Sequence, residues 1–123
     1  MKANRVEMKV DEDWRSGHKE WGNMDVSWNK YPAGIDPSPL FKGLPDNLCQ
    51  CPHWGYVTKG SIRVKYKDHD EVISEGEVYY MEPGHIPVME EDCEIIEFAP
   101  KKEYQEFLEV IDRNVKALRN DNK

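Results

Sequence analysis

Cys49-Gln50-Cys51-Pro52-His53 gathers two of the chain's three cysteines and one of its four histidines into five residues. In an extended chain, positions 49, 51 and 53 are two apart, which turns all three side chains to one face. Thiolate and imidazole donors suit zinc or iron better than magnesium or calcium. The competing account of the same residues is core filling, since free cysteines are commonly buried as small hydrophobes. His53 and His85 would then hydrogen-bond to each other or to a carboxylate, and a polar pocket is expected even without a metal. The cluster runs into Trp54-Gly55-Tyr56-Val57-Thr58-Lys59-Gly60, an apolar-aromatic strand closed by glycine.

Other residues with chemical potential carry weaker claims. Cys93 lies on a late strand and reads as core, His69 sits in the Lys67-Asp68-His69-Asp70 turn, and His18 sits in a polar N-terminal stretch. Glu90-Glu91-Asp92 reads as a solvated turn. Trp28, Trp54, Tyr56, Tyr79 and Tyr80 are candidates for the wall of a small-ligand pocket, because cavities in small barrels are commonly walled by aromatics. At least half of them are expected to be ordinary core, and of the adjacent pair Tyr79 and Tyr80 only one can face inward.

Short strands supply the frame. Met24, Val26 and Trp28 alternate with Asp25, Ser27 and Asn29, the period of a half-buried strand over Met24 to Tyr31. Prolines 32, 37, 39, 45 and 52 then exclude a central strand and indicate a long ordered loop, pinned by Leu40, Phe41 and Leu44. Ser61 to Tyr66 alternates again and returns through Val72 and Ile73 as a hairpin. Strands follow at Glu77 to Met81, through Ile86 and Val88, and from Cys93 to Ala99, with turns at Glu82-Pro83-Gly84 and Glu90 to Asp92. After Pro100, the residues Tyr104, Phe107, Leu108, Ile111, Val115 and Leu118 recur at helical spacing and predict one amphipathic helix over 101–120. The expected layout is a single domain over 1–123: a loose arm over 1–23 with a short strand at Arg5 to Val10, a barrel over 24–99, and the helix.

Composition narrows the partners. With 38% hydrophobic and 33% charged residues, the 123-residue chain is expected to be globular, and its formal net charge of −7 without a basic run argues against nucleic acid and anionic membranes. No stretch has the length of a membrane span or the pattern of a secretory leader, so the expected compartment is the cytoplasm. Three cysteines without a leader indicate reduced thiols.

These residues resemble the cupin superfamily, whose double-stranded β-helix, or jelly-roll barrel, makes the chain all-β apart from its C-terminal helix. Gly43 stands five residues before Cys49-Gln50-Cys51, like the opening of the first cupin motif with cysteines in place of both histidines. Counted back from Gly60, His53 falls where that motif has its glutamate, and with the shorter gap Cys49 takes the second histidine's place and Asn47 the first's. In the second motif Gly76 and Gly84 are in frame, Glu82 replaces a proline, and Pro87 stands where a histidine is usual, with His85 two residues earlier on the same face of a regular strand. Cys-Pro-His-Trp-Gly-Tyr-Val and Pro-Gly-His-x-Pro are similar to a subgroup of small single-domain cupins of bacteria and archaea.

The resemblance implies a metal held at the barrel mouth by Cys51, His53 and His85, with Cys49 as a further candidate, and zinc or iron as the cofactor. It implies a small-molecule ligand and a homodimer that buries an edge strand. Three functions stay open: a metal- or ligand-binding protein, a metal-dependent dioxygenase or isomerase, and a thiol-based redox or metal sensor.

Overall fold

The computed structural model describes residues 1–10 and 16–121. Among the described residues eight strands precede one helix: β1 (Ser16–Trp21), β2 (Met24–Tyr31), β3 (His53–Lys59), β4 (Ser61–Tyr66), β5 (Asp70–Ser74), β6 (Val78–Met81), β7 (His85–Val88), β8 (Cys93–Pro100) and α1 (Lys101–Asp121). They form an antiparallel five-stranded sheet in the order β1-β2-β8-β3-β6 and a three-stranded sheet in the order β5-β4-β7. Bridges Ile35↔Met89 and Cys49↔His85 tie the long loop to β7 and the residue that follows it. The loop has two short 3-10 turns, Ser38–Phe41 and Pro45–Asn47, each with proline at its start, where a missing N–H costs nothing.

The strands over 24–31, 61–66 and 93–99 fall where alternation places them, and the helix follows Pro100. Where the sequence reading has a loose arm, Ser16–Trp21 instead pairs along its whole length with β2 through a tight turn at Gly22-Asn23. Arg5 to Lys9 is turn rather than strand. Residues 11–15 of the expected arm lie outside the described residues. The turn segment packs over the sheet: Arg5 ion-pairs with Glu94 at 2.9 Å, and a side chain at Gly17 would collide with the Met8 carbonyl.

The main core lies between the two sheets. Val57, Ile62, Val64 and Ile95 are essentially inaccessible, and burying each contributes about 1.5–3 kcal/mol. A second cluster of Phe41, Cys49, Cys51 and Ala99 sits beneath α1, whose Tyr104, Phe107 and Ile111 pack onto it. Asn114 fastens the helix to the loop by donating to the Leu40 and Lys42 carbonyls. The helix is thereby held as a roof over one end of the barrel.

The phase of β2 is the main departure from expectation. Asp25, Ser27, Asn29 and Tyr31 face the interior, while Met24, Val26 and Trp28 face outward. The polar half of the alternation points into the barrel.

Candidate functional site

Backbone geometry brings Cys49 and His85 together. The Cys49 N–H donates to the His85 carbonyl at 2.9 Å, and the Cys49 carbonyl accepts from the N–H groups of Gly84 and His85. The tight turn that presents His85 needs a left-handed residue, supplied by Gly84 at φ 93°. His53 arrives from the first position of β3, with Nε2 3.7 Å from the Cys49 sulfur and its ring centroid 5.1 Å from that of His85. One donor atom from each of Cys49, His53 and His85 falls within 4.8 Å of the others, and all three residues are buried.

The outer nitrogens of both rings are held. His85 Nδ1 lies 2.6 Å from the Glu82 carbonyl, which places its proton there and leaves Nε2 with a lone pair. That Nε2 is buried without a hydrogen-bond partner among the described residues, and an orphaned buried acceptor is costly unless something else binds it. His53 Nδ1 lies 2.7 Å from Glu97 Oε1, an ion-pair contact rather than an aligned hydrogen bond. Histidines anchored at one nitrogen by carboxylate or carbonyl are the usual support of metal ligands. The donor set therefore fits a divalent transition metal.

Charges within the cluster are mutually adjusted. Burial alone would push the Cys49 thiol up, but the neighbouring imidazoles of His53 and His85 overcome it and bring the thiol to about 7. Burial opposes a charged His53, yet Glu97 and Cys49 raise it to about 10. Glu97 is lowered despite its burial, chiefly by the charge of His53 beside it, with the Tyr79 hydroxyl adding a hydrogen bond. Burial, reinforced by the negative Cys49 and Glu97, pushes the Cys51 thiol up to about 12.

Glu97 is in turn held by the Tyr79 hydroxyl, which donates to Oε2 at 2.8 Å. Gly55 lies between them in register, paired with Tyr79 on one side and Glu97 on the other. A Cβ at Gly55 would stand 2.4 Å from the Tyr79 hydroxyl, so the missing side chain is what lets the phenol cross the strand. Sequence reasoning passed over Glu97. Its signal was the phase of Cys93, Ile95, Glu97 and Ala99, which puts one carboxylate among inward-facing small and apolar residues.

A cavity of about 300 Å³ opens beside the triad. Asp25, Ser27 and Asn29 of β2 with Glu97 of β8 form one wall, and Leu40, Phe41, Phe107 and Ile111 form the apolar roof. Asn29 Nδ2 donates to the Ser27 hydroxyl at 2.9 Å, and Asp25 Oδ2 lies 3.0 Å from His18 Nδ1, whose pKa this contact raises. His18, expected to be without a role, is stacked on Tyr104 at the roof's edge.

Of the four expected ligands, Cys49, His53 and His85 come together and Cys51 does not. Burial still alternates over 49–53, but the chain bends at Cys51, and the donor group contains Cys49, His53 and His85 without it. Cys51 turns into the cluster beneath α1, its sulfur 3.5 Å from the Pro52 carbonyl. The expected pocket wall also needs correction, because none of its five aromatics lines the cavity. Trp28 belongs to the outward phase of β2. Trp54, Tyr56 and Tyr80 are exposed on the same outer face, at 43%, 40% and 44%, and Tyr79 is core that supports Glu97. The aromatics on the cavity are Tyr31, Phe41, Tyr104 and Phe107.

No protein-family model and no curated protein matches the chain. Solved structures do. It is similar to a cupin 2 conserved barrel domain protein from Salinispora arenicola, at 15% identity over 95% of each chain with a TM-score of 0.54. It is also similar to a cupin-2 domain containing protein from Shewanella frigidimarina, at 17% identity over 75% of this chain and 85% of that one, TM-score 0.53. A cupin superfamily protein from Desulfitobacterium hafniense matches at 8% identity over 74% and 80%, TM-score 0.55. Likeness at such identities speaks for the fold. Two facing antiparallel sheets, roofed at one end by a helix and alike in three dimensions to these barrels, give this chain the cupin fold.

Proposed function

We propose that this protein binds a divalent transition metal ion, zinc or iron, through Cys49, His53 and His85, and holds a small molecule in the adjoining cavity. The observation that carries the proposal is the convergence of three buried donors with His85 Nε2 left without a hydrogen-bond partner among the described residues. An ion held by only three protein ligands would have room for a further ligand, the pattern of catalytic rather than purely structural sites. When bound, such an ion supplies Lewis acidity and lowers the pKa of a coordinated water. The chain's own part is to present a thiolate, to fix both imidazoles through Glu82 and Glu97, and to exclude bulk water beneath α1.

A metal-dependent isomerase or oxygenase is compatible with such a further ligand. Against the oxygenase stands the ligand set, in which Glu97 is engaged by His53 and Tyr79 instead of standing among the donors. A thiol sensor draws support from the lowered Cys49 thiol, but Cys49 is 1% exposed and oxidant sensing favours accessible thiolates. The homodimer is supported by the exposed outer-face aromatics Trp54, Tyr56, Tyr80 and Phe98.

Elemental analysis of protein purified without added metal or affinity tag tests the metal. About one equivalent of zinc or iron in the wild type, lost in His53→Ala and His85→Ala but kept in Cys51→Ser, is the expected outcome. No uptake after reconstitution with either ion under reducing conditions would sink the proposal.

A further inference from the structure

The cavity has one polar wall, on which two carboxylates stand beside Ser27 and Asn29, whose donors are turned to the Glu97 carbonyl and to Ser27. Asp25 and Glu97 are the acidic groups on it, and ionised carboxylates accept hydrogen bonds without donating any. No lysine or arginine is among the residues lining the cavity. Asp25 has His18 as its charged partner, and Glu97 has His53. A ligand carboxylate or phosphate entering here would meet two carboxylates, no lysine or arginine, and a His53 already engaged by Glu97, and an unpaired charge taken out of water is costly.

The opposite wall is apolar. Ile35, Leu40, Phe41, Phe107 and Ile111 offer no hydrogen-bonding side chain. The volume of about 300 Å³ corresponds to roughly ten water-sized units at about 30 Å³ each. Into the same space faces His85, 1% exposed and with its Nε2 unpartnered among the described residues, so the cavity has a polar group built to meet something.

We infer that the cavity takes a small non-anionic molecule, an alcohol or amine of about ten non-hydrogen atoms, which donates hydrogen bonds to the Asp25–Asn29 face of β2 and lays an apolar body against the roof of α1. The inference rests on the reading of this cavity as the ligand site. The inward phase of β2 is its basis: a barrel whose interior served packing alone would have turned Met24, Val26 and Trp28 inward. Two adjacent strands place Asp25, Ser27 and Asn29 beside Glu97 through the pairs Asp25↔Ala99, Ser27↔Glu97 and Asn29↔Ile95.

Benzyl alcohol, benzylamine and benzoate have the same ring and nearly the same size and differ in the group that would meet the polar wall. Their binding to metal-free full-length protein, followed by calorimetry or ligand-observed NMR, separates the chain's own preference from coordination to a metal. Benzyl alcohol and benzylamine are expected to bind at least about tenfold more tightly than benzoate, a difference of about 1.4 kcal/mol. Asp25→Asn, which keeps the shape, is expected to shrink the benzylamine-to-benzoate ratio at least about fivefold, and Ile111→Trp, which fills the roof side, to remove binding of all three. Benzoate binding as tightly as the other two, a ratio unmoved by Asp25→Asn, or no binding of any probe at millimolar concentration each overturns the inference. Stoichiometric zinc uptake without probe binding would leave the metal proposal standing alone. Probe discrimination without metal uptake would do the reverse.

Discussion

Strand β2 turns its polar phase into the barrel while the outer face of the same sheet carries exposed aromatics, the reverse of a plain β-sandwich strand. On β2, Asp25, Ser27 and Asn29 face the interior, whereas on the outer face Trp54, Tyr56, Val78, Tyr80 and Phe98 are exposed. Polar groups are placed inside a barrel only at a cost unless they find partners. Here the partners are one another, the histidines and the cavity, so the inner face is specialised for chemistry and the outer face for contact. The two neighbouring cysteines differ in another way: both lie in the cluster beneath α1, yet the Cys49 thiol is lowered by imidazoles and the Cys51 thiol is raised by burial.

Substitutions on the inner face should therefore cost function first. The largest effect is expected for His85→Ala, with metal affinity reduced more than about 100-fold by equilibrium dialysis while circular dichroism stays near wild type; a smaller change than for the supporting residues would break the contrast. Glu97→Gln removes the charge that orients His53 and is expected to weaken metal binding about 10- to 100-fold, in line with losses at supporting residues elsewhere. A shape-only role for Glu97 predicts no change.

The Cys49 thiol offers a sharper reading by pH. Thiolate absorbance in the metal-free protein should titrate near 7, and in His53→Ala move up toward or beyond 9. The native value lies below the ordinary thiol value of 9.0, so ionisation of Cys49 stabilises the folded state. That contribution is complete above about pH 9 and is lost as pH falls through 7. Metal affinity should fall over the same lower range because a proton then competes at sulfur.

Gly55→Ala tests the support from behind. A Cβ there meets the Tyr79 hydroxyl and the Ile96 carbonyl, each at 2.4 Å, so a loss of about 1–3 kcal/mol in urea unfolding is expected, with weakened metal binding. The smallest effect belongs to the outer face. Trp54→Ser with Tyr80→Ser should leave metal content unchanged and cost under about 1 kcal/mol, while light scattering reports whether this surface joins two copies. Equal damage from both faces would show that the distinction carries no functional meaning.

Much of the frame was legible. Strands over 24–31, 61–66 and 93–99 and the helix after Pro100 could be read because alternation, turn residues and helical periodicity are local signals. The strand Ser16–Trp21 was not, since Ser-Gly-His-Lys-Glu-Trp has no apolar alternation and is held by pairing with β2. At the site, Cys49, His53 and His85 were recognisable by residue type and motif frame. Spacing alone does not tell Cys51 from the ligands, because the bend at 51 is not written in it, and aromatic residue type does not say which face of a strand is the inner one.

What the sequence determined by itself was the inventory: eight short strands' worth of pattern less one, an amphipathic helix, soft donors at 49, 53 and 85, and a chain without basic runs. Tertiary structure alone decided which phase of each strand became the interior. Period two specifies two faces and gives neither a direction; the direction comes from which surface the second sheet and α1 cover. Covering the polar phase of β2 made Asp25, Ser27 and Asn29 a cavity wall, brought Glu97 to His53 and, across Gly55, to Tyr79, and left four aromatics to solvent.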